Sequence, residues 1–153
     1  MPSTHSLNQI IQDFPQFSFV TADAFRWSAE TQTIHYDPTA PDIQSFLLHE
    51  LGHAILQHES YAKDIDLLRL ERDAWQYATS QLAPRYSGTI DTDLIEDNLD
   101  TYREWLHARS LCPDCHMTGI QTNTGHYRCV ACGSRWKANE ARNCALRRHR
   151  LAK

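Results

Sequence analysis

The sequence predicts an α+β fold, and three observations carry this prediction. Short runs rich in β-forming residues between residues 17 and 37 predict a small antiparallel sheet. Stretches with apolar residues at intervals of three and four follow between residues 42 and 109, and they predict helices. All five cysteines lie in the last 42 residues, among short β-type runs, which predicts a small separate module.

Start and stop signals define the helices. Pro15 ends a short first helix, Asp42 caps the second, Pro84 stops the third, and Asp91 or Thr92 caps the fourth. The first turns of the fourth helix are acidic, as the helix dipole favours. The predicted helices are residues 6–14, 42–60, 63–82 and 91–109.

Length and composition exclude several classes of protein. The chain has 153 residues, of which 41% are apolar and 22% charged, so it can bury a core and is not compositionally disordered. No apolar run approaches the roughly 18 residues that a membrane span needs. The first residues lack the basic and apolar regions of a secretory signal, and we therefore expect a cytoplasmic protein.

Charge is distributed unevenly along the chain. Residues 1–106 contain six Lys or Arg and 17 Asp or Glu, a net charge of −11, whereas residues 107–153 contain nine and two, a net charge of +7. Such a break is typical of two regions with different partners. We expect one domain over residues 1–108, a cysteine module over 109–138 and a basic tail or helix over 139–153.

An HExxH motif, His49-Glu-Leu-Gly-His53, lies in the predicted second helix. Histidines four residues apart project from one helix face, where both imidazoles can bind one zinc ion. Glu50 lies where its carboxylate can reach a water on that metal and act as general base. Gly52 costs about 1 kcal/mol relative to Ala inside a helix, which predicts that another element approaches it closely.

Glu71 is the expected third ligand. It lies on the apolar stripe of the predicted third helix, where an unpaired carboxylate is costly to desolvate and a metal ion removes the cost. Asp73 falls on the opposite side and is expected to be solvated. Two histidines, Glu71 and a water are the pattern of a catalytic zinc site. The stripe consists of Leu67, Leu70, Ala74, Ala78 and Leu82.

A purely structural interpretation competes with this one. His49 and His53 can be ordinary helix histidines, with Glu71 a member of a buried ion pair. His58 follows five residues after His53 and is expected to be a surface histidine. The sequence gives His35 no role.

Residues 48–58 (LHELGHAILQH) and 71–78 (ERDAWQYA) resemble the ImmA/IrrE family of metallopeptidases, and the resemblance covers roughly residues 15–84. It implies that His49, His53 and Glu71 bind zinc and that Glu50 is the general base. It also implies a sheet whose edge strand holds the substrate in extended form, and substrates that are DNA-binding repressors. The sequence departs from the family at Asp73, which replaces a Glu, and at Trp75, which replaces an Asn that normally lies in the second coordination shell.

Two CxxC pairs, Cys112/Cys115 and Cys129/Cys132, are separated by 13 residues. Four thiolates at such a spacing form a closed structural zinc site, and the region resembles a zinc ribbon. A redox-active CxxC is the alternative, although it usually occurs singly near a βαβ unit. Cys144 is expected to be a free thiol. The sequence therefore predicts two zinc ions per chain, one catalytic and one structural.

The module and its tail are basic and could contact nucleic acid. Tyr127 and Trp136 are expected to be available for base stacking. The alternative is a solvated tail, or a partner for the acidic part of the same chain. The candidate residues are Arg128, Arg135, Lys137, Arg147, Arg148 and Arg150.

Three functions follow from these patterns. The first is a zinc endopeptidase that cleaves a protein substrate such as a regulatory DNA-binding protein. The second is a protease acting on DNA-bound proteins, because an HExxH domain followed by a zinc ribbon is similar to SprT-like proteases; that family uses a third histidine in a His-Gly-x-x-Trp-like context, and none follows His53. The third is a non-catalytic binding module. No membrane partner is expected.

Overall fold

The structure is a computed structural model that describes residues 4–140 and 145–152. Within these residues the fold is α+β, with four α-helices and two small sheets. Contacts divide the chain into two compact units: the residues up to Ser60 with Leu70–Ile95, and Tyr61–Arg69 with the residues from Glu96 onward. The elements are α1 Thr4–Asp13, β1 Ser18–Thr21, β2 Arg26–Ser28, β3 Thr33–Tyr36, α2 Ile43–Ile55, α3 Asp64–Tyr77, α4 Thr92–Ser110, β4 Ile120–Asn123, β5 His126–Arg128, β6 Arg135–Ala138 and β7 Arg148–Arg150.

The sheet of the first unit has the order β1-β3-β2. Strand β2 is antiparallel to β3, with Trp27 opposite Ile34, but β1 runs parallel to β3, with Phe19 opposite Ile34. The prediction of a purely antiparallel sheet is therefore wrong. Strand β2 lies between β1 and β3 in the sequence, but in the sheet it pairs with β3 and forms one edge.

Helix α2 is the most buried element of the first unit. Nine of its 13 residues are buried, because apolar side chains surround it on all sides. The helix ends at Ile55 rather than near Ser60, since Gln57 adopts a left-handed conformation with φ 53°. Asp42 stands at the N-cap position, but it has φ 56° and its side chain forms no capping hydrogen bond, so the predicted cap is not made.

Gly52 lets two helices of the first unit approach closely. A Cβ at this position would lie 2.6 Å from the backbone oxygen of Ala74 in α3. Close approach of another element was the reason predicted for a glycine inside this helix, and that prediction is confirmed. Helix α3 continues beyond Tyr77 as a π-helical turn over Ala78–Leu82, and a 3-10 turn over Ala83–Tyr86 contains Pro84.

The second unit is built around a four-stranded antiparallel sheet in the order β4-β5-β6-β7. Residues 148–150, predicted to belong to a basic helix or tail, form edge strand β7, because Arg148 and Arg150 pair in register with Ala138 and Trp136 of β6. The predicted free thiol Cys144 lies outside the described residues. The buried cluster of this unit consists of Cys112, Tyr127, Cys129, Trp136 and Ala138, with Leu146 packed against it.

No helix in residues 4–140 and 145–152 combines the length and the apolar character that crossing a membrane requires.

Candidate metal centres

Three side chains converge inside the first unit. His49 and His53 project from the same face of α2, and Glu71 reaches them from α3. The Oε2 atom of Glu71 lies 3.0 Å from Nε2 of His49 and 3.4 Å from Nε2 of His53, and the two Nε2 atoms are 3.2 Å apart. All three residues are buried. The structure thus brings together the three residues predicted as ligands of the first metal.

The donor set fits a metal ion. Zinc–nitrogen and zinc–oxygen bonds of about 2.0–2.1 Å in a tetrahedral arrangement place neighbouring ligand atoms about 3.3 Å apart. The separations of 3.0, 3.2 and 3.4 Å among the three ligand atoms match that edge length. Two imidazole nitrogens and a carboxylate oxygen are also ligands that zinc accepts, so the group could hold a metal ion such as zinc.

Electrostatics of the site favour a cation. Burial opposes the charge on Glu71, but hydrogen bonds with His49 and His53 outweigh it and hold the pKa of the carboxyl well below its usual range. Burial lowers the pKa of His49 to about 4, so this imidazole is neutral. Burial also disfavours a charged His53, yet the Glu71 carboxylate outweighs that effect and raises the pKa. A neutral imidazole and an ionised carboxylate are the protonation states that bind metal.

Glu50 is buried next to the three converging residues and is not one of them. The backbone N–H of Trp27, on edge strand β2, donates a hydrogen bond to its carboxylate. Burial raises the pKa of Glu50 to about 7 despite that bond. A carboxyl group with a pKa near neutrality can both accept and release a proton.

His58 contacts the site, although the sequence predicted a surface histidine. Its Nδ1 lies 2.8 Å from Nδ1 of His53, and its backbone carbonyl accepts a hydrogen bond from the Trp27 indole at 2.9 Å. One of the two Nδ1 atoms must carry the proton that they share. If His53 donates it, the lone pair of His53 is at Nε2, the atom that faces Glu71.

The sequence prediction for His58 failed because it assumed helical geometry. A spacing of five residues places two side chains on different faces of an α-helix. Here α2 ends at Ile55, and the left-handed Gln57 turns the chain back toward His53. The only signal in the sequence was a second histidine shortly after the motif.

Trp75 packs against the first ligand. Its ring stacks on His49 with centroids 4.0 Å apart and an angle of 20°, and its side chain is buried. Nδ1 of His49 is buried and has no hydrogen-bond partner among the described residues. Most metal-binding histidines donate that second N–H to an oxygen atom. Among the described residues, the indole ring rather than such an acceptor is what contacts this imidazole.

Four cysteines converge in the second unit. The Sγ atoms of Cys112 and Cys132 are 3.6 Å apart, and those of Cys115 and Cys129 are 3.5 Å apart. All four lie within 4.8 Å of one another. Zinc–sulfur bonds of about 2.3 Å in a tetrahedron give an edge of about 3.8 Å, so this group also fits a metal ion such as zinc.

The two CxxC turns share one backbone geometry. In each, the residue after the second cysteine donates its N–H to the carbonyl of the first: His116 to Cys112 and Gly133 to Cys129, both at 3.0 Å. Both residues adopt left-handed conformations, with φ values of 62° and 76°. Equivalent turns in the two pairs aim all four thiols at one point, whereas a single redox pair has no need of a second matching turn.

The six basic candidates of the second unit separate into two groups. Arg128, Arg135 and Lys137 are exposed on β5 and β6, and Arg147 is exposed before β7. Arg148 donates a hydrogen bond to the backbone carbonyl of Leu111, and Arg150 pairs with Asp114. Tyr127 and Trp136, expected to stack on bases, are 2% and 0% exposed. That expectation is wrong, because both rings belong to the buried cluster.

In comparisons with known proteins, no family profile, no curated protein and no solved structure matches this chain.

Proposed function

We propose that the first unit is a zinc-dependent endopeptidase that cleaves a protein substrate, with a regulatory DNA-binding protein as the expected substrate. One observation carries the proposal. Glu71 is a buried carboxylate with Oε2 at 3.0 and 3.4 Å from two imidazole nitrogens, while a second buried carboxylate, Glu50, adjoins them and stays outside the ligand group. A structural metal site needs only the ligands; the additional buried carboxylate is what hydrolysis needs.

Each residue has a role in this reaction. His49, His53 and Glu71 hold the zinc ion, which when bound supplies Lewis acidity toward a water molecule and the substrate carbonyl. Glu50 accepts a proton from the attacking water at a carboxylate oxygen. As the peptide bond breaks, Glu50 delivers that proton to the departing amine nitrogen. The Trp27 N–H keeps the Glu50 side chain in place by hydrogen bonding to it.

Strand β2 is the expected binding element for the substrate. It forms an edge of the first sheet, and the N–H of its central residue Trp27 points to Glu50 rather than to β3. An extended peptide can pair with such an edge through its backbone, which makes binding tolerant of sequence. A peptide on β2 places its carbonyl groups beside Glu50. This arrangement agrees with the resemblance to ImmA/IrrE metallopeptidases.

A substitution of Glu50 tests the proposal. The wild-type chain, Glu50→Gln and Glu71→Gln are each loaded with zinc and incubated with the DNA-binding protein encoded nearest to the gene, and fragments are identified by mass spectrometry. The wild type is expected to cleave. Glu50→Gln should retain its metal but lose activity by at least about 10²-fold, because a general base contributes 10²–10⁴-fold. Glu71→Gln should lose metal from this site.

Two results would contradict the proposal. Equal cleavage by the wild type and by Glu50→Gln would exclude Glu50 as the base. Unchanged zinc at the histidine site in Glu71→Gln would exclude Glu71 as a ligand and favour a SprT-like ligand set instead.

A non-catalytic metal-binding module is the second candidate. The absence of an acceptor for His49 Nδ1 among the described residues favours it, because such acceptors increase the basicity of a ligand. Full metal loading with no cleavage of any protein tested by the wild type would support this candidate.

A further inference from the structure

One face of the sheet in the second unit is lined by cations. Directly opposite residues of an antiparallel sheet share a face, and successive residues alternate between faces. Arg128 lies opposite Arg135, while Lys137 lies opposite both His126 and His149. These five residues therefore share one face, called here the basic face. The opposite face carries Tyr127 and Trp136 of the buried cluster.

The basic face is exposed, and no carboxylate in residues 4–140 and 145–152 forms an ion pair with it. Arg128, Arg135, Lys137 and His149 are exposed, and His126 is half-buried. None of the ion pairs found among the described residues involves Arg128, Arg135 or Lys137. Like charges placed directly opposite each other destabilise a sheet. Arg135 donates one hydrogen bond to the backbone carbonyl of Ala152 at 2.8 Å, but this contact keeps its positive charge and does not offset the repulsion from Arg128.

Acidic residues are few in this part of the chain, and none of the described ones forms an ion pair with the basic face. Residues 107–153 contain only Asp114 and Glu140 as acids. Asp114 pairs with Arg150, whose partner in the sheet is the buried Trp136, so this contact lies on the other face. Glu140 acts electrostatically on Tyr61. None of the ion pairs among the described residues therefore neutralises a cation of the basic face.

We propose that the basic face binds the phosphate backbone of a nucleic-acid duplex. A duplex carries one negative charge per roughly 1.7 Å of its axis, so cations on neighbouring strands, about 4.8 Å apart, each find a phosphate. The described sheet presents no Phe, Tyr or Trp ring on this face, since Tyr127 and Trp136 are buried. Proteins that bind single strands use exposed rings for base stacking, which favours the duplex.

An acidic protein fits this face less well. Stable protein interfaces have an apolar centre surrounded by a polar rim. On the basic face the order is reversed: Ile120 lies opposite Arg128 on edge strand β4, and Leu151 pairs with Arg135 just beyond edge strand β7. The apolar side chains are therefore at two edges, and Arg128, Arg135 and Lys137 occupy the centre.

A charge-matched pair of triple variants tests the proposal. The first combines Arg128→Gln, Arg135→Gln and Lys137→Gln. The control combines Lys63→Gln, Arg69→Gln and Arg103→Gln, which removes the same charge from exposed positions in or next to the helices of the same unit. Binding of the full zinc-loaded chain to a fluorescent 20-base-pair DNA of mixed sequence is measured between about 50 and 200 mM salt, the range in which phosphate contacts change affinity strongly. Zinc content and circular dichroism confirm that each variant folds.

The salt dependence reports the contacts directly. Each phosphate contact contributes a slope of about 0.9 to log Kd against log salt, so the basic-face variant should lose about 2.7 from the wild-type slope. An increase in salt from about 50 to 200 mM should therefore weaken DNA binding about 40-fold less in the basic-face variant than in the wild type. The control variant should keep the wild-type slope.

Three results would overturn the proposal. They are an unchanged slope in the basic-face variant, an equal decrease in both variants, and competition by poly-glutamate at the charge concentration at which DNA competes. The last result would identify an acidic protein as the partner. The proposal does not depend on hydrolysis, so it stands or fails separately from the Glu50→Gln experiment.

Discussion

At the scale of single residues, the contact between His53 and His58 links the position of one shared proton to the nitrogen of His53 that is available to a metal. The two Nδ1 atoms are 2.8 Å apart, and a proton on Nδ1 of His53 leaves the lone pair on Nε2. That nitrogen lies 3.4 Å from the Glu71 carboxylate. His58 is therefore a positioning residue, which acts through a ligand.

Replacing His58 should weaken metal binding at the histidine site. With His53 as the donor, His58→Phe removes its acceptor. Substitutions of residues that orient a metal ligand cost about 10–100-fold in metal affinity, so we expect a decrease of that size. His58→Asn supplies an amide oxygen as acceptor and should restore most of the affinity. Titration with Co²⁺ measures both, because the thiolate charge-transfer band reports the four-cysteine site separately. Equal affinity in wild type and His58→Phe would show that the contact has no positioning role.

The residues of the first site were predictable to the extent that regular geometry governs them. Helical periodicity placed Glu71 on a buried face and Asp73 on the exposed side, and the structure has Glu71 buried and Asp73 partly exposed. His58 and Trp75 were not predictable as neighbours of the ligands. The first depends on a left-handed residue after a helix, and the second on the rotation of two helices against each other.

At the scale of elements, the close approach of α2 and α3 sets the distance between the ligands. Gly52 lies between His49 and His53, and Ala74 is one turn after Glu71. A Cβ on residue 52 would lie 2.6 Å from the Ala74 oxygen, which is backbone and cannot move without shifting α3.

Gly52→Ala should therefore destabilise the protein despite a favourable effect on helix propensity. Ala gains about 1 kcal/mol of propensity over Gly, and overpacking of a rigid core costs typically 1–3 kcal/mol or more, so we expect a net loss of up to about 2 kcal/mol. Denaturant unfolding measures this change. Gly88→Ala is the control, because its Cβ would meet the flexible side chain of Gln44 at 3.1 Å and no backbone atom nearer than 3.8 Å. Equal stability of the two variants would contradict a backbone clash at Gly52.

Elements with strong local signals were predicted, and those set by pairing were not. All four helices were anticipated within a few residues, except that α2 ends earlier than predicted; α3 reaches the predicted end at Leu82, with its last turn π-helical. Direction and partner choice in short strands depend on contacts far apart in sequence. This is why parallel β1 and edge strand β7 were missed: nothing local in residues 18–21 specifies strand direction, and residues 148–150 contain three basic residues and no β-branched one.

At the scale of the whole molecule, two separate groups of donors could hold metal ions. We expect two zinc equivalents per chain by elemental analysis. Cys112→Ser combined with Cys129→Ser should remove one equivalent, and His49→Ala combined with His53→Ala should remove the other. A single equivalent in the wild type, or loss of both from either pair of substitutions, would contradict two independent sites.

The units are not consecutive blocks of sequence. Residues 61–69, which include the first turns of α3, belong to the second unit together with the C-terminal residues. Residues 96–110 of α4 also belong to it. Within the second unit, Tyr127 donates a hydrogen bond to Asp64, and Gln121 accepts one from the Asp64 backbone N–H at 2.8 Å. Charge and cysteine patterns along the chain carry no information about such pairings, because the partners are about 60 residues apart.

The buried cluster of the second unit has a consequence for how the chain matures. Among its five buried members in the described residues, Cys112 and Cys129 are themselves expected ion-binding thiols. Because two members of this cluster are metal ligands, the cluster should pack fully only when the ion is bound. The folded fraction of this unit should therefore increase with the concentration of free zinc. The first unit also packs aliphatic side chains of α2 that are not ligands, so its folding should depend less on the ion. When zinc is scarce in the cell, we therefore expect the first unit of a newly made chain to fold first and the second unit to fold only after zinc binds.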